Sequence, residues 1–247
     1  MINTRIVYVD PENIDEKVLV EACRVLRNSG LVAFPTETVY GLGALISKRD
    51  AVTRIFEVKG RPSDNPLIVH VDSVEMFEKL VVNPPETAYR LIDRYWPGPL
   101  TIVWWKNKDV VPDEVTAGLS KVAVRSPAHP VALNLINICS EAIAAPSANR
   151  SGKPSPTTAK HVIDDLYGLI ELIIDSNDTL YGVESTIIDL TTDPPRLLRP
   201  GAIPVEDIEK YLGITIDIPM YARGYVEADR AEAPGMKYKH YAPEAKL

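Results

Sequence analysis

Apolar positions along the 247-residue chain switch repeatedly between a strand-like run and a helical period. Ile6 to Val9 reads as a strand, and from Ile14 the residues Val18, Ala22, Val25 and Leu26 recur at helical spacing until Gly30 stops them. Leu31 to Phe34 predicts a second strand. It runs into Pro35 to Gly43, a stretch dense in hydroxyls and ended by two glycines, which reads as a loop lining a site. Asp50 is placed to cap a helix carrying Val52, Ile55 and Phe56 on one face, and Leu67 to Val71 returns as a strand. Helical patterns at Val74 to Leu80 and Pro85 to Tyr95 lead to a buried strand at Leu100 to Trp105. Val122 to Val124 and Ala142 to Ala145 read as strands around a helix from His129 to Ile138. Leu172 to Ile174, Ser185 to Leu190 and Arg196 to Leu198 add strands, and Val205 to Leu212 a helix. Alternation of this kind predicts an α/β fold. The late clustering of strands makes it a twisted, mixed parallel and antiparallel sheet flanked by helices, with an open ligand cleft.

Residues 1–218 read as one domain, and an apolar fraction of 45% suffices for its core. Residues 219–247 carry many charges and alanines without a long apolar period, so they read as an extended linker or tail. Lys and Arg total 27 against 34 Asp and Glu, a net of -7, which argues against RNA or membrane binding through bulk charge. Any anion site must be local. Cys23 and Cys139 are too few and too far apart in sequence for a disulfide framework or a cysteine-rich zinc site, which predicts a reducing, cytoplasmic setting. No apolar run has membrane-spanning length.

The candidate chemistry centres on Val58 to His70. Lys59 and Arg61 stand on a loop broken by Gly60 and stiffened by Pro62 and Pro66, a place for an anion, and Asn65 adds a polar group that pH does not neutralise. Other strand ends carry Thr36 and Thr38, His70, Arg125, Ser147 and Asn149, Ser155, Ser185 and Thr186, and Arg199. Phosphate-loop and dinucleotide fingerprints are missing, as are paired acids, a nucleophile with an evident base, and metal-ligand spacing. The set suits positioning chemistry. Each member also has a plainer reading: His70 as a hydrogen-bonded half-buried side chain, Glu37 as a local cap or pair, Ser185 and Thr186 as strand hydroxyls, Arg125 and Arg199 as surface ion pairs.

Several segments together resemble the YrdC-like threonylcarbamoyl-AMP synthases. They are Pro35 to Leu42, Lys59-Gly60-Arg61 with Asn65-Pro66-Leu67, Val124-Arg125 with Pro127 and His129-Pro130, Ala145 to Asn149 with Ser151-Gly152, Ser185 to Asp189, and Leu198 to Gly201. The resemblance implies condensation of L-threonine, bicarbonate and ATP to threonylcarbamoyl-AMP and pyrophosphate, with Mg2+ accompanying ATP. The product feeds a tRNA threonylcarbamoyl transferase that modifies the adenosine next to the anticodon. It assigns threonine to Thr38, His70, Arg125, Ala145 through its backbone, and Ser185. ATP falls to Lys59, Arg61, Asn65, Ser147, Asn149, Ser155 and Arg199, with Lys59 and Arg61 also catalytic. Lys121 stands where many members carry a threonine and is assigned to the nucleotide as well. Pro234 to Pro243 resembles the linker of the longer two-domain members, with Tyr238, His240 and Tyr241 as a candidate lid. Two rival readings are a non-catalytic module with weak RNA binding and a carbamoyl-adenylating domain of the hydrogenase-maturation kind. The second normally comes with zinc-binding cysteine motifs, which two cysteines do not supply.

Overall fold

A computed structural model of the chain describes residues 2–223 and 231–233. In order come β1 (Arg5–Tyr8), α1 (Glu16–Arg27), β2 (Val32–Phe34), β3 (Gly41–Leu45), α2 (Arg49–Lys59) and β4 (Ile68–His70). They are followed by α3 (Val74–Leu80), α4 (Glu86–Tyr95), β5 (Leu100–Trp105), α5 (Asp113–Thr116), β6 (Lys121–Arg125) and α6 (Pro130–Cys139). The rest are β7 (Ile143–Ala144), α7 (Ala159–Leu166), β8 (Leu172–Asp175), β9 (Thr186–Asp189), β10 (Arg196–Arg199) and α8 (Val205–Leu212).

The strands form one sheet in the order β1-β8-β2-β3-β7-β4-β6-β5-β9-β10. Its pairing is mixed: β1 and β2 lie parallel to β8, β4 to β6 and β5 to β9, while β3, β7 and β10 pair antiparallel with their neighbours.

Period-2 alternation divides the sheet's residues between two faces. Leu31, Ala33, Val69, Ile102, Val122, Val124, Ala144 and Ile188 point into the main core, which also takes side chains from α2, α3, α4, α7 and α8. On the opposite face Val32, Phe34, Ile143, Leu172 and Ile174 meet α1 and α6. Those two helices cover only the half of that face around β8, β2, β3 and β7. Beyond β7 the same face continues with Ile68, Ala123, Val103, Ile187 and Leu198, a small apolar cluster that Ala233 joins and Tyr221 partly covers.

Local chemistry explains most boundaries. Asp15 caps α1 by accepting from the Lys17 N–H, and Thr158 caps α7 through the His161 N–H. The cap expected of Asp50 is corrected: α2 starts at Arg49 with Lys48 at its cap position, and Asp50 lies in the first turn, where its charge suits the helix dipole. The lining loop predicted over 35–43 ends earlier, at Tyr40. Gly41 onward is β3, and a Cβ at Gly43 would stand 2.7 Å from the Phe34 ring and 2.8 Å from Ile143, so glycine there permits the close strand pairing.

Two further expectations are corrected. The cysteines are distant in sequence but not in space, because α1 and α6 lie side by side; Cys23 and Cys139 are disulfide-bonded with Cα atoms 5.4 Å apart. The stretch from 219 is not simply extended where it is described: 220–223 form a turn, and Ala231 and Ala233 are buried. Among the described residues no helix is long and apolar enough to cross a membrane.

Candidate active site

The half-face beyond β7 gathers the polar strand ends. In the parallel pairing of β4 with β6, His70 lies directly opposite Arg125. The register of β5 with β6 and β9 puts Thr101 on the same face, and its Oγ1 is 2.7 Å from Ser185 Oγ. His70, Thr101, Arg125 and Ser185 are all buried. Arg125 donates from Nη1 to Thr38 Oγ1 at 2.9 Å and from Nε to the Gly98 carbonyl at 3.2 Å. Its Nη2 stands 2.6 Å from Glu37 Oε1 in a buried ion pair.

Arg199 reaches this cluster because of a bulge. Leu197 pairs with Ile188, but Arg199 rather than Leu198 is opposite Ile187, so the extra residue turns Arg199 onto the Ser185 face. Its Nη2 donates to the Ser185 carbonyl at 2.9 Å and to Ser185 Oγ at 3.2 Å.

A second group borders the first. Gly60, at φ 61°, closes α2 in the left-handed region and turns the chain between Lys59 and Arg61, both buried. Lys59 Nζ donates to the Ser147 and Asn149 carbonyls and, at 3.4 Å, to Asn149 Oδ1. Burial, followed by the neighbouring Arg61 charge, pushes the Lys59 ammonium well below its ordinary pKa. Arg61 donates to the Asn65 and Pro66 carbonyls at 3.2 and 3.0 Å, which fixes the loop around its own cation. The loop at 146–157 is tied back by the Ser151 N–H to the Lys59 carbonyl and by Lys153 to Asp165 on α7.

Burial fixes the charge state of His70. It pushes the imidazole down to about 3, with Arg125 repelling the proton further, so His70 is neutral at physiological pH. Four polar atoms of this site are buried without an aligned hydrogen bond: His70 Nδ1, Asn65 Oδ1, and Glu37 Oε1 and Arg125 Nη2, which face each other in the ion pair. Orphans such as His70 Nδ1 and Asn65 Oδ1 cost about 1–3 kcal/mol each, which a polar ligand reaching them would offset.

Other candidates are placed differently. Asn149 is a brace, with its amide donating to the Arg150 and Lys153 carbonyls and its oxygen accepting from Ser147 Oγ. Ser155 Oγ donates to Glu184 at 2.6 Å. Ala145 directly follows β7, with its N–H bonded to the Ile68 carbonyl at 2.9 Å. Lys121 shares the face of Arg125 but lies at the other end of β6, four residues or roughly 13 Å away. Its ammonium pairs with Asp189 at 2.8 Å and Glu232 at 3.2 Å; burial opposes its charge, but these carboxylates outweigh burial and raise its pKa. Tyr238, His240 and Tyr241 lie outside the described residues.

Sequence reasoning passed over Thr101 and undervalued Glu37. Thr101 is the one hydroxyl in the apolar run of β5, a signal that was readable. Glu37 looked like a local cap because its partner Arg125 is distant in sequence.

Residues 24–201 match the Sua5/YciO/YrdC profile, described as "Telomere recombination". This chain belongs to that family. Residues 203–247 match the profile of the threonylcarbamoyl-AMP synthase C-terminal domain, so the match starts before the tail and includes α8. The chain is 56% identical over 237 residues to the threonylcarbamoyl-AMP synthase of Pyrococcus abyssi, covering 96% of this chain and 68% of that protein. It is 48% identical over 239 residues to the Bacillus subtilis threonylcarbamoyl-AMP synthase, again covering 96% and 68%. The crystal structure of P. abyssi Sua5 complexed with L-threonine superposes with a TM-score of 0.94 at 56% identity, over 98% of this chain and 70% of that one. Membership of this group makes the chain an enzyme of the nucleotidyl-transferring kind.

Proposed function

We propose that this chain condenses L-threonine, bicarbonate and ATP to threonylcarbamoyl-AMP, releasing pyrophosphate. The observation that carries the reading is the buried guanidinium of Arg125, held among Thr38, Glu37 and Gly98 with His70 opposite and Ser185 nearby. A guanidinium fork pairs with a carboxylate, and hydroxyls and a neutral imidazole suit the amine and hydroxyl of threonine. Thr38, His70, Arg125, Ser185 and the Ala145 backbone would hold that substrate.

Lys59, Arg61, Asn65, Ser147, Ser155 and Arg199 would surround ATP. The acceptors of Lys59 are neutral oxygens, which leaves its charge to the field of the cleft. The threonine amine bonds to the carbon of bicarbonate with loss of water to form a carbamate, whose oxygen attacks the α-phosphorus as the bond to pyrophosphate breaks. Lys59 and Arg61 offset the charge that builds on the leaving group, so catalysis is alignment and electrostatics. Mg2+ would enter as an ion carried by the ATP phosphates. When bound it neutralises phosphate charge. The product would pass to a tRNA threonylcarbamoyl transferase in the cytoplasm.

The test is pyrophosphate release from ATP and Mg2+. Release that needs threonine and bicarbonate together supports the reading, and folded protein that releases none overturns it. Arg61→Ala should slow single-turnover adenylation by ~10² or more.

A further inference from the structure

We propose that Glu37 is a positioning residue that sets the guanidinium of Arg125 for the carboxylate of the amino-acid substrate. The inference rests on the reading above and adds a residue to which no substrate contact is assigned. Glu37 is 4% exposed, and its carboxylate is shared between two partners. Oε1 stands 2.6 Å from Arg125 Nη2, and Oε2 accepts the Ala128 N–H at 2.9 Å. The Glu37 carbonyl accepts the Tyr181 N–H at 2.9 Å, and the next carbonyl, of Thr38, accepts the Gly182 N–H at 3.1 Å. One residue therefore joins the β2–β3 loop, the β6–α6 loop and the β8–β9 loop at the end of the face where His70, Arg125 and Ser185 meet.

The geometry of the pair shows what it leaves available. Glu37 Oε1 and Arg125 Nη2 are close, yet neither has an aligned hydrogen bond. The carboxylate holds the guanidinium by charge from off the N–H line, while Nε and Nη1 are anchored to Gly98 and Thr38. Nη2 is thus ion-paired but has no aligned acceptor of its own, and a ligand carboxylate would supply one. Neutralising Glu37 would increase the positive field at Arg125, which favours any anion. Bidentate recognition depends on the direction of the fork, however, and a guanidinium that turns to find another buried acceptor loses that alignment. Alignment outweighs the gain in field.

The experiment is calorimetry on the full chain with L-threonine and, separately, a non-hydrolysable ATP analogue, each variant checked by thermal melting. Glu37→Gln is expected to raise the threonine Kd tenfold or more. Glu37→Asp, which keeps the charge, should recover most of that loss, and the ATP-analogue Kd should stay within about twofold in both. Ala128→Pro, which removes the N–H that fixes Oε2, should weaken threonine in the same direction and serves if Glu37→Gln does not fold. Unchanged threonine affinity, or equal weakening of threonine and the ATP analogue, would overturn the positioning role. Wild-type protein that binds the ATP analogue but not threonine would overturn the proposed function itself.

Discussion

Gly201 lies against the backbone of Ser185 so closely that a Cβ would stand 2.4 Å from the Ser185 carbonyl carbon and from the Thr186 nitrogen. This contact sets the start of β9, and with it the hydroxyl that meets Thr101 and the carbonyl that takes Arg199. Gly201→Ala must push β9 outward. Overpacking of this kind costs roughly 1–3 kcal/mol. Urea unfolding should show that loss, and threonine-dependent pyrophosphate release should fall at least tenfold. A variant of normal stability and rate would mean the strand end tolerates the shift.

Removing Arg125 should harm stability as well as binding. Its side chain and that of Glu37 are both about 95% buried, so Arg125→Met leaves an unpaired carboxylate in the interior, a change that typically costs about 3–5 kcal/mol. The double variant Arg125→Met with Glu37→Gln should be more stable than Arg125→Met alone. Chemical denaturation of the two single variants, the double variant and the parent gives the coupling directly, and strict additivity would contradict the pairing.

His70 gives stability a specific pH dependence. Its folded pKa of about 3 lies below the ordinary 6.5 because of burial first and Arg125 second. Between those values the unfolded chain binds a proton that the folded chain refuses. The contribution is therefore complete above about pH 6.5 and erodes as pH falls toward 3, by up to about 1.4 kcal/mol per pH unit. His70→Gln should flatten the stability curve between pH 5 and 6.5 relative to the parent. Parallel curves would show that His70 does not titrate differently in the two states.

The bond between Cys23 and Cys139 fastens α1 to α6 on the covered half of the sheet, away from the cleft. Closing a separation of 116 residues corresponds to at most ~4–5 kcal/mol in the chain-entropy account. Replacing both cysteines by alanine should lower the melting temperature by several degrees, with threonine-dependent turnover at 25 °C unchanged. Unaltered melting would mean the link contributes nothing to the folded state.

Much of the architecture was legible because periodicity records burial directly. The helix at Val205–Leu212 and the strands at β2, β4 and β5 fall where alternation and helical spacing put them. The misses have local causes. The α5 helix is a single turn, α7 shows only Ala159, Val162 and Leu166 as buried anchors, and β3 is glycine-rich, so each lacks a full apolar period.

The sequence by itself determined the alternating strands and helices, the cations on the Gly60 loop and the hydroxyl-rich strand ends, because these depend on neighbours a few residues apart. Only the tertiary structure decided which of them meet. The register that sets His70 opposite Arg125, the bulge that turns Arg199 onto the Ser185 face, the pairing of Glu37 with Arg125 and the approach of Cys23 to Cys139 all join residues distant in the chain. Such relationships arise from strand order and close packing of the whole sheet, and no local pattern of residues encodes them.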